Sequence, residues 1–206
     1  MSKLKRSGDV AMHCLPFRGL LEDDSHFLKF QLAINDSLLM GDIKADPKAK
    51  LSWIMPKTKE YYNITGKFYI ASAPTQLTRF PPPKISSNDG QTTADYWEQQ
   101  RLNEWNKLSS KARATFTWPS RAETPKSAFK SFNCQSLDKS QKSVLHEIAL
   151  DNFCLLVFKV TDVEHLDYSC FPPKRTVCTC RVLNCVRQQV LTDFLCIIVI
   201  HSFSKS

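Results

Sequence analysis

The sequence predicts a mainly β fold of the α+β class: an antiparallel barrel, closed or partly closed, with one long helix packed on it. Three observations predict it. Segments rich in Tyr, Phe and Ile, or alternating apolar with polar residues, cluster early and late in the chain. Between them, residues 92–116 repeat apolar side chains at helical spacing. The order of strands, helix, polar stretch and strands then requires pairing between segments far apart in sequence.

Taken in order, residues 11–21 read as a strand entering a turn at Gly19 and 22–25. Residues 27–40 are ambiguous: Phe27, Leu28, Phe30, Leu32 and Ile34 tend toward alternation, and 38–40 is a short apolar run. Asp46 and Pro47 suit an N-cap and a first helical position, so 47–51 can open a helix. Residues 51–55 read as a strand and 56–59 as a turn. Residues 61–73 form the strongest strand pattern, with Gly66 as a candidate bulge. The resulting hairpin needs further strands to be stable.

Pro81, Pro82 and Pro83 mark 74–90 as a loop. In the long helix, Tyr96, Trp97, Leu102, Trp105, Leu108 and Ala112 share the spacing, and Thr93 or Asp95 suits a cap. Residues 118–143 are Ser- and Lys-rich, the composition of a mobile loop centred on 119–143. A buried strand over 153–160, a strand over 163–168, a turn at Pro172 and Pro173, and a strand over 175–179 follow. The expected organisation is a disordered basic N-terminus (1–10), one domain (11–179) and an atypical Cys-rich apolar tail (180–206).

Composition narrows the function classes. The 206 residues are 42% hydrophobic and 23% charged, which suits a soluble domain with a substantial core. The net charge of +8 is dispersed, with Lys3, Lys5 and Arg6 the densest cluster, so a phosphate-bearing small ligand fits better than nucleic acid. No apolar stretch approaches the 20 or so residues of a membrane span; 194–200 is too short. Residues 1–10 lack the apolar centre of a secretory signal, so the eight cysteines are expected as reduced thiols in the cytoplasm or nucleus. Cys178, Cys180 and Cys185 lack a second ligand pair at zinc spacing, so no metal site is expected.

Four segments, in order, carry a family resemblance. They are Phe17-Arg18-Gly19; residues 53–66 around Trp53, Glu60 and Gly66; residues 105–119 from Trp105 through Arg113 to Phe116 and Trp118-Pro119; and residues 151–176, with Val163-Glu164-His165-Leu166 and Lys174-Arg175-Thr176. Together they resemble the pyridoxamine 5'-phosphate oxidase-like family, in its FMN-binding split-barrel branch. The resemblance implies a split antiparallel β-barrel that forms a homodimer and binds FMN at the subunit interface. FMN offers a phosphate needing cationic donors and a ring edge needing polar contacts.

By the same resemblance, Arg18, Lys44, Lys48, Tyr61, Arg113 and Arg175 are the candidate cofactor-binding residues. Several stand where the family carries something else. Lys44 replaces an Arg and so loses its bidentate fork. Ala45 replaces a hydroxyl residue, and Lys48 meets the family's Lys only after a one-residue shift. Tyr61 stands for a Gln that would face the flavin, and Asn63 for an Arg. Arg113 has a second reading, as a surface arginine lying over the aromatic stripe of its helix. Arg175 can equally be a solvated strand-end residue. His165 and Glu164 are neighbours on a strand and point to opposite faces, which argues against a catalytic pair. No other acid, base or nucleophile stands out, so catalytic residues are left unassigned.

Two function classes follow. One is an FMN-dependent oxidoreductase acting on a small substrate. The other is a non-catalytic split-barrel relative serving as a binding or interaction domain. Flavin binding discriminates between them. A nucleic-acid binder, a third class, would require steeply salt-dependent binding.

Overall fold

Nine strands and four α-helices are placed in the computed structural model, which describes residues 2–4, 10–76, 78–85, 90–120, 136–137, 143–179 and 197–198. The strands are β1 (Ser2–Leu4), β2 (Val10–Cys14), β3 (Phe17–Leu20), β4 (Phe27–Ala33), β5 (Lys48–Met55), β6 (Glu60–Ala71), β7 (Phe153–Asp167), β8 (Lys174–Thr179) and β9 (Ile197–Ile198). The helices are α1 (Ser37–Ala45), α2 (Thr93–Lys107), α3 (Ser110–Ala114) and α4 (Val144–Asn152), with a 3-10 turn at Thr115–Thr117. One sheet runs in the order β3-β4-β7-β6-β5-β1-β2-β9, and β8 pairs with β7 off this path. No helix among the described residues is long and apolar enough to cross a membrane.

The chain divides into two compact units, described in turn. The first comprises residues 1–30, 45–69 and 157–206. Its centre is the β5–β6 hairpin, in unbroken antiparallel register from Lys48 opposite Lys67 to Met55 opposite Glu60. Ala49, Leu51 and Trp53 on β5 and Ile64 and Phe68 on β6 are buried, as a period of two requires of a half-buried pair. Lys59 closes the turn in the left-handed region, at φ 57. Phe17 meets Trp53 edge-on at 4.8 Å, and Phe68 packs on Phe30 and Phe158 at 6.3 and 4.8 Å. Geometries of this kind add to the burial of the rings themselves.

The second unit comprises residues 31–44 and 70–156. Trp105, Leu108, Phe116, Leu137, Ala149 and Phe153 form its buried cluster. Two arginines brace it. Arg101, 2% exposed, pairs with Glu98 through Nε and Nη2, both at 2.8 Å, and donates Nη1 to the carbonyls of Leu150 and Phe153. It thereby adds a donor to Leu150 O, which the Phe153 N–H also meets at the end of α4, and reaches Phe153 O at the start of β7.

Several expectations are corrected. The strand foreseen over 11–21 is interrupted at Leu15-Pro16 into β2 and β3, since proline supplies no ladder donor. The ambiguous 27–40 resolves into β4, a turn and α1, with Leu39 N–H donating to Asp36 Oδ1 at 3.3 Å. Residues 47–51 open β5 and not a helix. Asp46 Oδ1 accepts the Lys48 N–H, and Pro47 O accepts the Phe68 N–H, so the Asp-Pro pair ends one element and starts the next strand. Gly66 is no bulge; it pairs squarely with Ala49.

The single helix over 92–116 is three elements. Thr92 caps α2 by accepting the Asp95 N–H, and Ser109 breaks the run by capping α3. Helix α4 was not foreseen. The two strands expected over 153–168 are one, β7. Ser2–Leu4, expected to be disordered, pair as β1 with Val10–Met12 of β2. The polar loop expected over 119–143 lies largely outside the described residues, as does the tail from 180 apart from β9.

Candidate functional site

Polar side chains concentrate where β6 begins and β7 ends, within the first unit. Alternation separates them onto two faces. Glu60 and Tyr62 lie on the side that carries buried Ile64 and Phe68 further along β6. His165 joins them from β7. Its ring stacks on Tyr62, with centroids 4.5 Å apart and planes 13° apart. Glu60 Oε1 is 3.0 Å from His165 Nε2 and accepts the Tyr62 hydroxyl at 3.2 Å. Burial, and then the charge and hydrogen bond of Glu60, push the Tyr62 phenol up to about 12. Tyr62 therefore stays neutral at physiological pH and serves as a donor.

The other face carries Tyr61, Asn63, Glu164 and Arg175. Glu164 accepts the Asn63 amide at 3.0 Å and the Arg175 Nε at 2.6 Å. These two bonds, Asn63 first, hold the Glu164 carboxyl below its ordinary range. Tyr61 meets Tyr168 edge-on at 5.3 Å, and the Tyr168 N–H donates to Lys59 O. The start of β6 is thus tied to the end of β7 by backbone and side chains together.

Of the six residues singled out by sequence, Arg18, Lys48, Tyr61 and Arg175 belong to the first unit. Arg18 is the extra residue of a β-bulge: Phe17 pairs with Phe30 and Gly19 with Lys29, so two steps on β3 match one on β4. Gly19 has φ 107, a conformation glycine adopts without strain. Lys48 opens β5 and is exposed. Tyr61 pairs with Ile54, six residues from Lys48 along β5, or about 20 Å. Within one chain these two residues do not touch the same chemical group. Arg175 is 65% exposed but committed to Glu164.

Lys44 and Arg113 belong to the second unit. Lys44 is exposed in the last turn of α1. Neither its ammonium nor that of Lys48 makes a hydrogen bond or ion pair among the described residues. Arg113 is 2% exposed and donates its two Nη groups to Leu137 O and Leu108 O, at 2.9 and 2.7 Å. It lies 5.8 Å from the Trp105 ring centroid. The surface reading of Arg113 is therefore corrected: a loop carbonyl and a helix-end carbonyl capture a guanidinium that helical spacing alone leaves on the outside.

The Glu60–Tyr62–His165 cluster was missed. His165 does have a carboxylate partner, but on β6, 105 residues away in sequence. The alternation of Glu60 and Tyr62 was visible, whereas the strand that meets them was not. Cys154 is fully buried, and burial pushes its thiol up to about 12, which makes it inert.

An FMN phosphate calls for exposed cations; in the first unit Lys48 meets that requirement, and in the second, taken by itself, Lys44 is exposed. Arg113 does not meet it, since it is buried and its Nη groups serve Leu137 O and Leu108 O, whereas exposed Arg175 commits only its Nε, to Glu164. The fit is to the phosphate end of the cofactor.

No protein-family model matches the sequence, and no curated protein matches it significantly. Solved structures do. A pyridoxamine 5'-phosphate oxidase-related, FMN-binding protein from Nostoc punctiforme matches with a TM-score of 0.63 and 24% identity, over 85% of this chain and 77% of that one. PhzG from Burkholderia lata, solved with tetrahydrophenazine-1-carboxylic acid, has a TM-score of 0.47 and 12% identity over 86% and 79% of the two chains. A general stress protein 26-related protein of the pyridoxinephosphate oxidase family from Clostridium acetobutylicum has a TM-score of 0.43 and 9% identity over 87% and 82%. The antiparallel sheet with its four helices has the pyridoxamine 5'-phosphate oxidase-like, FMN-binding split-barrel fold.

Proposed function

We propose that this protein binds FMN, as a homodimer, and serves as an oxidoreductase for a small substrate. The observation that carries the reading is the fold shared with an FMN-binding structure over 85% of the chain. Lys48 and Arg18 in the first unit are the cations proposed to meet the phosphate. Tyr61 is the residue proposed at the ring. FMN, when bound, supplies the redox chemistry. The chain's own contribution is to bind and orient it. Exposed apolar residues support a second copy: Phe171 and Val177 in the first unit are 97% and 53% exposed, and Val144 in the second is 72% exposed.

A second reading, a non-catalytic split barrel serving as a binding or interaction domain, is favoured by Arg113, whose Nη donors serve the fold. Each charge-assisted bond withheld from a ligand forgoes about 1.5–3 kcal/mol. Titration of the purified chain with FMN, followed by flavin fluorescence quenching, separates the two. Saturable, stoichiometric quenching with a dissociation constant on the order of micromolar is the expected result. A colourless dimer that ignores FMN up to high micromolar concentrations would leave the second reading standing.

A further inference from the structure

Two turns stand side by side at one end of the first unit. The Tyr168 N–H donates to Lys59 O at 3.0 Å, and the Tyr168 ring meets Tyr61 edge-on at 5.3 Å. These contacts lock the turn over 56–59, between β5 and β6, beside the connection over 168–173, between β7 and β8. Both segments are exposed throughout. Phe171, in the middle of the second, is 97% exposed, and Tyr168 is 50% exposed. A phenyl ring so open buries nothing in the folded chain, so its apolar surface is left to a partner.

Charge indicates which partner. Residues 56–59 and 168–175 contain Lys57, Lys59, Lys174 and Arg175 and no Asp or Glu. The carboxylates of the adjoining strand ends are engaged. Glu60 Oε1 lies 3.0 Å from His165 Nε2, Glu164 accepts from Asn63 and from the Arg175 Nε, and Asp167 accepts from the Ser169 N–H and hydroxyl. Asp167 also stands opposite Lys174 across the β7–β8 pair and offsets part of its charge. Lys57 and Lys59 are then the cations left to the tip. A two-fold contact centred here would set these lysines against their own copies, whereas an anionic surface neutralises them. Val177 differs, since it stands opposite Glu164 in a setting of mixed charge that suits a second copy. An exposed aromatic ring among lysines is also the composition that settles at the headgroup level of a bilayer.

We propose that the paired turns 56–59 and 168–175 form a peripheral docking tip for an anionic lipid surface, with Phe171 entering the boundary between headgroups and acyl chains and Lys57 and Lys59 meeting the headgroup charges. The attachment is reversible, because one ring and two lysines fall short of a stable anchor. It goes beyond the flavin reading and does not rest on it.

The test is flotation of the full chain with phosphatidylcholine vesicles and with vesicles that also contain phosphatidylserine, at low and at moderate salt. Binding is expected only where phosphatidylserine is present, and it should fall as salt rises. Phe171→Ser should weaken it about tenfold or more, the loss of one buried ring. Lys57→Gln/Lys59→Gln should weaken it by a similar factor, about fivefold for each charge. Both changes replace exposed side chains, and unchanged far-ultraviolet circular dichroism confirms that the fold is kept. Val144→Ser, which removes an exposed apolar residue of the second unit, should bind as the parent does. Failure to float with phosphatidylserine, or binding indifferent to salt or to Phe171→Ser, would overturn the docking tip. So would a Phe171→Ser variant that sediments as a monomer where the parent is a dimer, with neither protein floating, since Phe171 would then belong to the contact between copies.

Discussion

A Cβ at position 66 would lie 2.7 Å from the Phe158 ring and closer still to the Lys159 carbonyl oxygen. Both neighbours belong to β7, and one is backbone, so neither can yield cheaply. Gly66→Ala is therefore expected to cost about 3 kcal/mol, read as a lower urea midpoint. A variant as stable as the parent would mean that β7 moves aside. Tyr62 makes a second prediction. Its phenol is raised in the folded state, so the stabilisation of the neutral form is complete below the ordinary value of 10 and is lost as pH rises from 10 toward about 12. Glu60→Gln removes the charge and the charge-assisted bond but leaves burial, the largest cause. The phenolate absorbance titration of Tyr62, isolated by difference with Tyr62→Phe, should move down while staying above 10. An unchanged titration would mean that Glu60 does not face the phenol in solution. Sequence made Gly66 conspicuous but gave the wrong reason for it. The reason is a close approach by β7, and a period-two pattern on one strand carries no information about which backbone lies over it.

At the scale of elements, local chemistry was legible where one segment decides its own fate. The β5–β6 hairpin and the helical face around Trp97 and Trp105 follow from alternation and spacing. Boundaries set by capping were harder. Ser109 accepts the Ala112 N–H and so ends one helix by starting another, a choice that helical periodicity cannot reveal. Helix α4 escaped notice because its cap, Ser143, borders a Ser/Lys-rich stretch and its exposed face carries Val144, Leu145 and Ile148. What holds α4 is distant in sequence: Arg101 on α2 bonds Leu150 O and Phe153 O. Arg101→Ala should remove a buried charge-assisted donor from both Leu150 O and Phe153 O and leave Glu98 without its partner, costing about 3 kcal/mol. Denaturant unfolding followed by circular dichroism measures this directly. A change below about 0.5 kcal/mol would mean that the apolar cluster around Trp105 holds α4 unaided.

At the scale of the molecule, chain connectivity decides how the protein unfolds. The boundary between the two units is crossed four times, at 30/31, 44/45, 69/70 and 156/157. Three of these crossings fall inside β4, β6 and β7, and the fourth at the last residue of α1. No contiguous segment contains either unit whole, and strands contributing to one unit continue unbroken into the other. Melting one unit alone would require three strands to fray midway, with ladder donors and acceptors abandoned at each break. A single cooperative transition is therefore expected. The tryptophans report on it separately: Trp53 lies in the first unit, Trp97, Trp105 and Trp118 in the second. Urea curves from fluorescence of a Trp53→Phe variant and of a Trp97→Phe/Trp105→Phe/Trp118→Phe variant should each coincide with the far-ultraviolet circular dichroism of the same protein. Two resolved transitions would show that the strands do fray at the crossings and that the units have separate stabilities. Added FMN then extends the test, since a ligand that binds the folded chain raises the midpoint of a cooperative transition as a whole, whereas between separable units it would raise only the one that binds it.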